Sequence, residues 1–155
     1  MRVCRTKGHL VLMIIAVVLT ALAAWGCAAR INYSYDLATP FDGLKNYNWG
    51  PSSAYAKQFP LIESNIRFAA DKALEKKGFV KKAEKPDFMI SINYDYEIDS
   101  FRYSYEIRML NLKIYSADGR KLIWQGTAYG TINANKASRD LTKNVERILS
   151  KFPPK

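Results

Sequence analysis

Three carboxylates, Asp95, Glu97 and Asp99, alternate with Tyr96 and Ile98, and Glu106 follows a short way on. Successive side chains of a strand point to opposite faces, so this spacing sends all three acids to one side. Two carboxyl groups ~5 to 9 Å apart are the equipment of glycoside hydrolysis, and a cluster of them can hold a hard cation such as calcium. Alternating acids are also the ordinary dress of a water-facing strand, and spacing alone shows no cleft. The solvated face is the stronger reading, so no catalytic residue and no metal ligand is assigned, and an envelope hydrolase using these carboxylates stays as the alternative. Other mechanisms fail on composition. The histidine is His9 and the cysteines are Cys4 and Cys27. From Cys27 onward there is no imidazole to take a proton from a serine or cysteine nucleophile, and the Cys/His vocabulary of zinc sites is missing. Gly43, Gly50, Gly78, Gly119, Gly126 and Gly130 match neither the phosphate-cradling loop nor the dinucleotide fingerprint. No cofactor is expected.

Cations offer a different chemistry. Arg139, Lys143, Arg147 and Lys151 recur every four residues, nearly opposite an apolar stripe of Leu141, Val145, Ile148, Leu149 and Phe152. Near an anionic lipid surface each such charge adds about 1 kcal/mol, so this ridge is a candidate contact for phospholipid, lipopolysaccharide or another anionic polymer. A solvated helix back is the plainer reading. Lys76, Lys77, Lys81, Lys82 and Lys85 form a second cluster, read as a solubilising loop. Nucleic acid is not an expected partner of either, given the address that the chain carries.

That address is residues 1–26. Arg2, Arg5 and Lys7 lead, residues 10–25 are apolar apart from Thr20, and Ala23-Ala24-Trp25-Gly26 runs into Cys27. A basic lead, a short apolar run and small residues make a secretory signal peptide. Sixteen residues fall short of the ~20 needed to span a bilayer. Gly26-Cys27 resembles the lipobox of bacterial lipoproteins, with Ala24 and Trp25 as departures from its pattern. The resemblance implies a diacylated Cys27 at the mature N-terminus, a membrane partner through that anchor, and a domain facing the periplasm. With Ala28 after the cysteine, the enterobacterial sorting rule implies the outer membrane. Ordinary signal-peptidase cleavage after residues 21–23 and an uncleaved inner-membrane anchor are the alternatives. Three positive charges leave with residues 1–26 and no negative ones do, which lowers the net charge from +10 to +7.

Residues 27–155 are the size of one domain, with no repeat and no dividing linker. Ile31, Tyr33 and Tyr35 alternate with polar residues as in a half-buried strand, Pro40 to Gly43 reads as a turn, and Tyr47 and Trp49 suggest a second short strand. Residues 50–60 read as a loop. Over residues 61–77 the period becomes helical, with Ile62, Ile66, Ala69, Ala70 and Ala73 on one side; Gly78 stops the helix and Phe79 is placed to clasp Leu74. Residues 88–98 are the clearest strand, with Phe88, Ile90, Ile92, Tyr94, Tyr96 and Ile98 on one face. In residues 103–115 the apolar set changes phase from Ile107 to Leu110, which predicts a bulge near Met109. Asp118-Gly119 predicts a hairpin into a strand over residues 122–132, with Leu122, Trp124, Ala128 and Ile132 inward. A helix over residues 138–152 closes the chain before Pro153-Pro154. The expected fold is α+β: a two-layer sandwich, a twisted and mostly antiparallel sheet of about five strands with both helices on one face.

Phe41-Asp42-Gly43-Leu44-Lys45-Asn46-Tyr47-Asn48-Trp49, Lys77-Gly78-Phe79, Pro86-Asp87-Phe88, Leu122-Ile123-Trp124-Gln125-Gly126 and Phe152-Pro153-Pro154 resemble, in that order, the signposts of a bacterial lipoprotein family catalogued as domain of unknown function 4136. The resemblance implies a lipid-anchored envelope domain of α+β fold and carries no reaction or ligand with it. The sequence therefore leads to a non-catalytic envelope module that binds a protein or an anionic polymer.

Overall fold

The strand with the strictest alternation became the centre of the sheet. In a computed structural model, which describes residues 29–53, 59–99, 104–135 and 139–154, β4 (Phe88–Asp99) buries Phe88, Ile90, Ile92 and Tyr94. Its antiparallel neighbour is β5 (Ser104–Ser116), followed by β6 (Leu122–Asn133) and, at the margin, β1 (Arg30–Tyr35). On the other side of β4 lie β2 (Asn46–Trp49) and then β3 (Val80–Lys81), both joined in parallel, which gives the order β1-β6-β5-β4-β2-β3. Six strands rather than about five result. The extra one is β3, two residues long inside the lysine-rich stretch, too short for any periodicity to mark it.

Helix α1 (Pro60–Lys76) begins with proline at its first position, where no N–H is missed, and buries Ile62, Ile66, Ala69, Ala70, Ala73 and Leu74. Its end is a Schellman motif: Phe79 N–H donates to Leu74 O (3.1 Å), Gly78 N–H donates to Glu75 O (2.9 Å), and Gly78 sits at φ +85°. Helix α2 (Arg139–Leu149) buries Leu141, Val145, Ile148 and Leu149, and Phe152 stays buried beyond its end. Both helices lie on one face of the sheet. Phe152 joins the layers, its ring 5.4 to 6.1 Å from those of Phe41, Phe79, Phe88 and Trp124.

The phase change in β5 is a bulge at Arg108. Tyr96 pairs with Ile107 while Asp95 pairs with Met109, so Arg108 is left over and Ile107 and Leu110 both reach the core. Two inward assignments fail at the margins. Leu122 is 39% exposed because a second irregularity places Ile123 inward beside Trp124. Ile98 is 58% exposed near the end of β4. Tyr33 and Tyr35 are also more exposed than a half-buried strand implies, since β1 is the edge strand.

Candidate functional site

Arg139, Lys143 and Arg147 lie along the outer side of α2, and Lys151 follows two residues past its end, since the helix stops at Leu149 rather than at residue 152. Arg139, Lys143 and Lys151 are exposed and Arg147 is partly so. The three on the helix span eight steps of 1.5 Å, about 12 Å. Among the described residues none of the four meets a carboxylate: Arg147 contacts Asn144 Oδ1 at 3.4 Å, and Lys151 Nζ lies 6.0 Å from the centre of the Tyr33 ring. The acids of the same helix are occupied elsewhere. Asp140 accepts from Asn133 N–H (3.1 Å) and Asn144 Nδ2 (2.9 Å), and Glu146 pairs with Lys76 on α1 (2.7 Å).

The direction of α2 decides what the ridge stands next to. Asp140 ties its first turn to the end of β6, which is also where Arg30 pairs with Tyr129 and where Ala29 lies against Gly130. Its far end is held by Trp124 Nε1–H donating to Lys151 O (3.2 Å). The helix therefore runs parallel to β1, starting at the end of the sheet where the chain enters. Cys27 and residues 1–26 lie outside the described residues.

Three of the five lysines in the other cluster are tied into the fold. Lys76 bridges to Glu146, Lys77 Nζ donates to Phe152 O (2.7 Å), and Lys81 pairs with Asp71 (3.1 Å). The strand carboxylates are exposed at Asp95 and Glu97; the side chain of Asp99 lies outside the described residues. Glu97 and Glu106 face each other across β4 and β5, and the bulged Arg108 holds both, at 2.8 and 3.4 Å, while also donating to Thr131. Among the described residues no group of three or more His, Cys, Asp and Glu side chains is arranged to hold a metal.

Two polar centres had no clear sequence signal. Asp71 Oδ1 accepts from both Tyr47 O–H (2.8 Å) and Trp49 Nε1–H (2.9 Å), and its other oxygen takes Lys81. Burial first, and the Asp71 carboxylate second, push the Tyr47 hydroxyl well above its ordinary range, so it remains a donor. Glu63 is 3% exposed and accepts from Arg67 (2.7 Å) and from Ser53 N–H (3.0 Å) and Oγ (2.8 Å). Burial alone would raise its pKa, but the Ser53 and Arg67 hydrogen bonds hold the carboxyl below the usual range. Arg67 lies 4.8 Å over Trp49, which connects the two centres. Beside them is a shallow depression of about 420 Å³ lined by Ser52, Glu63, Ser64, Arg67, Phe68 and Asp71. Its charged groups are already matched to one another, which marks a clamp on β2 and α1.

The family-like signposts have the same character. Asp87 accepts from Lys45 N–H (2.9 Å) and Asn46 N–H (2.7 Å), fixing the start of β2; those two donors hold its carboxyl below the ordinary value. Gly126 leaves room for Trp124 and Ile148. Together these features define an α+β domain whose helix layer carries a basic ridge that meets no carboxylate among the described residues, near the end of the sheet where β1 begins. The chain belongs to the family described as "Domain of unknown function (DUF4136)", whose pattern matches residues 31–154. No curated protein matches it. Among solved structures, a PDZ domain protein from Parabacteroides distasonis is similar at TM-score 0.54 and 12% identity over 82% of this chain; the chain spans 36% of that protein's length. A DUF4136 family protein from Bacteroides thetaiotaomicron is similar at TM-score 0.54 and 13% identity, over 81% of this chain and 96% of that one. A PelC dodecamer from Paraburkholderia phytofirmans gives TM-score 0.49 at 10% identity, over 79% and 95%. At these identities the likeness is one of fold.

Proposed function

We propose that this chain is a lipid-anchored module of the bacterial envelope. It is held at Cys27 to a membrane, the outer membrane by the sorting rule, with its domain in the periplasm and the outer side of α2 against anionic headgroups. The observation that carries this reading is the ridge itself: four cations that meet no carboxylate among the described residues, starting at the end of the sheet from which the anchor would emerge. Two or more acyl chains hold a protein stably where one holds it marginally, so the ridge orients the domain while the lipid supplies residence. With α2 down, the opposite face of the sheet looks away from the membrane and is free to meet an envelope protein or polymer. The role is non-catalytic. Arg108 engages Glu97 and Glu106, which favours this reading over a hydrolase that uses the strand carboxylates.

The test separates ridge from anchor. Residues 27–155 carrying Cys27→Ser should sediment with vesicles of phosphatidylethanolamine and phosphatidylglycerol and remain in solution with neutral phosphatidylcholine. Lys143→Gln with Arg147→Gln should weaken the binding about thirtyfold, at about 1 kcal/mol per charge, and salt should weaken it too. Binding that is indifferent to both changes contradicts the proposed orientation.

A further inference from the structure

The margin of the sheet at β1 is an open hydrogen-bonding edge. Asp36 N–H donates to Ile123 O (2.9 Å), and by the alternation of an antiparallel pair Arg30, Asn32 and Ser34 also turn their backbone groups toward β6. Ile31, Tyr33 and Tyr35 therefore turn theirs outward, where the described residues supply no further strand. Natural edges are usually blunted by prolines, inward charges or bulges, and Arg30–Tyr35 has no proline and pairs with β6 without a register shift. Apolar surface gathers at the same edge: Tyr33 is 49% exposed, Tyr35 38%, Leu37 87% and Leu122 39%. The Tyr33 and Tyr35 rings lie nearly parallel, 6.4 Å apart.

We propose that β1 pairs with β1 of a second copy, antiparallel about a two-fold axis at Tyr33, joining two six-stranded sheets into one. Centring on Tyr33 sets Ile31 opposite Tyr35 of the second copy and Tyr33 opposite its own equivalent. The outward backbone groups of three residues then meet outward groups, for about six hydrogen bonds. The facing side chains agree with this register. Ile31 meets Tyr35 and Tyr33 meets Tyr33 on the helix side; Asn32 meets Ser34 on the other. One step further out, Arg30, exposed and meeting no acid among the described residues, comes opposite Asp36 of the second copy, a carboxylate that its own Lys121 holds at 2.6 Å. A shift by one residue would set the helix-side row against the opposite face and lose every one of these matches.

The two-fold axis stands normal to the sheet, so both helix layers face the same way. If the membrane reading above holds, both ridges and both anchors then meet one bilayer, with two lipidated termini holding each assembly. The pairing itself stands on the strand edge and not on that reading. Velocity sedimentation of the full chain in detergent tests it without vesicles. The unsubstituted protein should sediment with two chains per particle. Tyr33→Pro, which removes an outward N–H at an edge position, should sediment with one. Arg30→Glu, which leaves the backbone intact and sets like charges opposite each other, should raise the dissociation constant about tenfold, and adding Asp36→Arg should recover part of that loss. Circular dichroism verifies that each variant is folded, and Arg30→Glu keeps the test decisive should Tyr33→Pro fail to fold. One chain per particle at about 100 μM, or a two-chain particle untouched by Arg30→Glu, overturns the proposal.

Discussion

Gly126 is a residue whose missing side chain does structural work. A Cβ built there would run into the Trp124 ring and come within 2.7 Å of Ile148 Cγ2, and both neighbours are fully buried. Gly126→Ala should therefore destabilise the fold by about 1 to 3 kcal/mol, read as a lower urea midpoint. The carboxylates give a pH dependence of definite sign. Asp36, bonded to Lys121 and Thr39, is lowered to about 2, and Asp87, Asp118 and Glu63 are lowered as well. A folded pKa below the unfolded one means stability that is complete above the unfolded value and lost as pH falls through the folded one. The urea midpoint should thus hold from neutrality to about pH 5 and fall between about pH 4 and 2; Asp87→Asn should flatten part of that fall. Residues of this kind were legible where the signal was local. Gly78 and Phe79 follow the helix they terminate, and the phase slip around Met109 announced the bulge found at Arg108. Asp71 was not legible, because Tyr47 and Trp49 reach it from 24 and 22 residues away and only the fold brings them together.

At the scale of elements, the long strands and both helices follow from periodicity, since each buries one face along its length. Of the short parallel strands, β2 showed in the alternation of Tyr47 and Trp49, whereas β3 and the parallel pairing of both did not. Their pairing depends on Asp87 pinning Lys45 and Asn46 and on Lys82 N–H donating to Tyr47 O (2.8 Å), contacts between segments far apart in the chain. The two basic clusters looked alike in sequence and differ in three dimensions. Lysines 76, 77 and 81 bind across elements, whereas the α2 ridge has no carboxylate to bind among the described residues. What fixes α2 in its orientation is the aromatic cluster past its end. Phe152→Ala should cost about 3 to 5 kcal/mol, because a fully buried ring shared by four aromatic neighbours would leave a cavity. Thermal unfolding measures it, and a loss under 1 kcal/mol, on the scale of an exposed site, would show that α2 docks without that ring.

For the whole molecule, the two layers are unlike: helices with a basic ridge on one side, and on the other a sheet face where Asn93, Asp95 and Glu97 are exposed while Asn111 and Thr127 are buried. Among the described residues no helix is long and apolar enough to cross a membrane, and the membrane contact proposed above is one of lipid and ridge. The fold class was legible because both layers show in the alternation of the chain. The partner was not, because a ridge of cations names a charge and an open sheet names no ligand. The lipid at Cys27 is the claim on which the rest of the functional account depends, and intact mass of the protein isolated from its native membrane tests it most directly. The account predicts a chain beginning at Cys27 and carrying diacylglycerol. An unmodified N-terminus past residue 21, or a product that keeps residues 1–26, would contradict it.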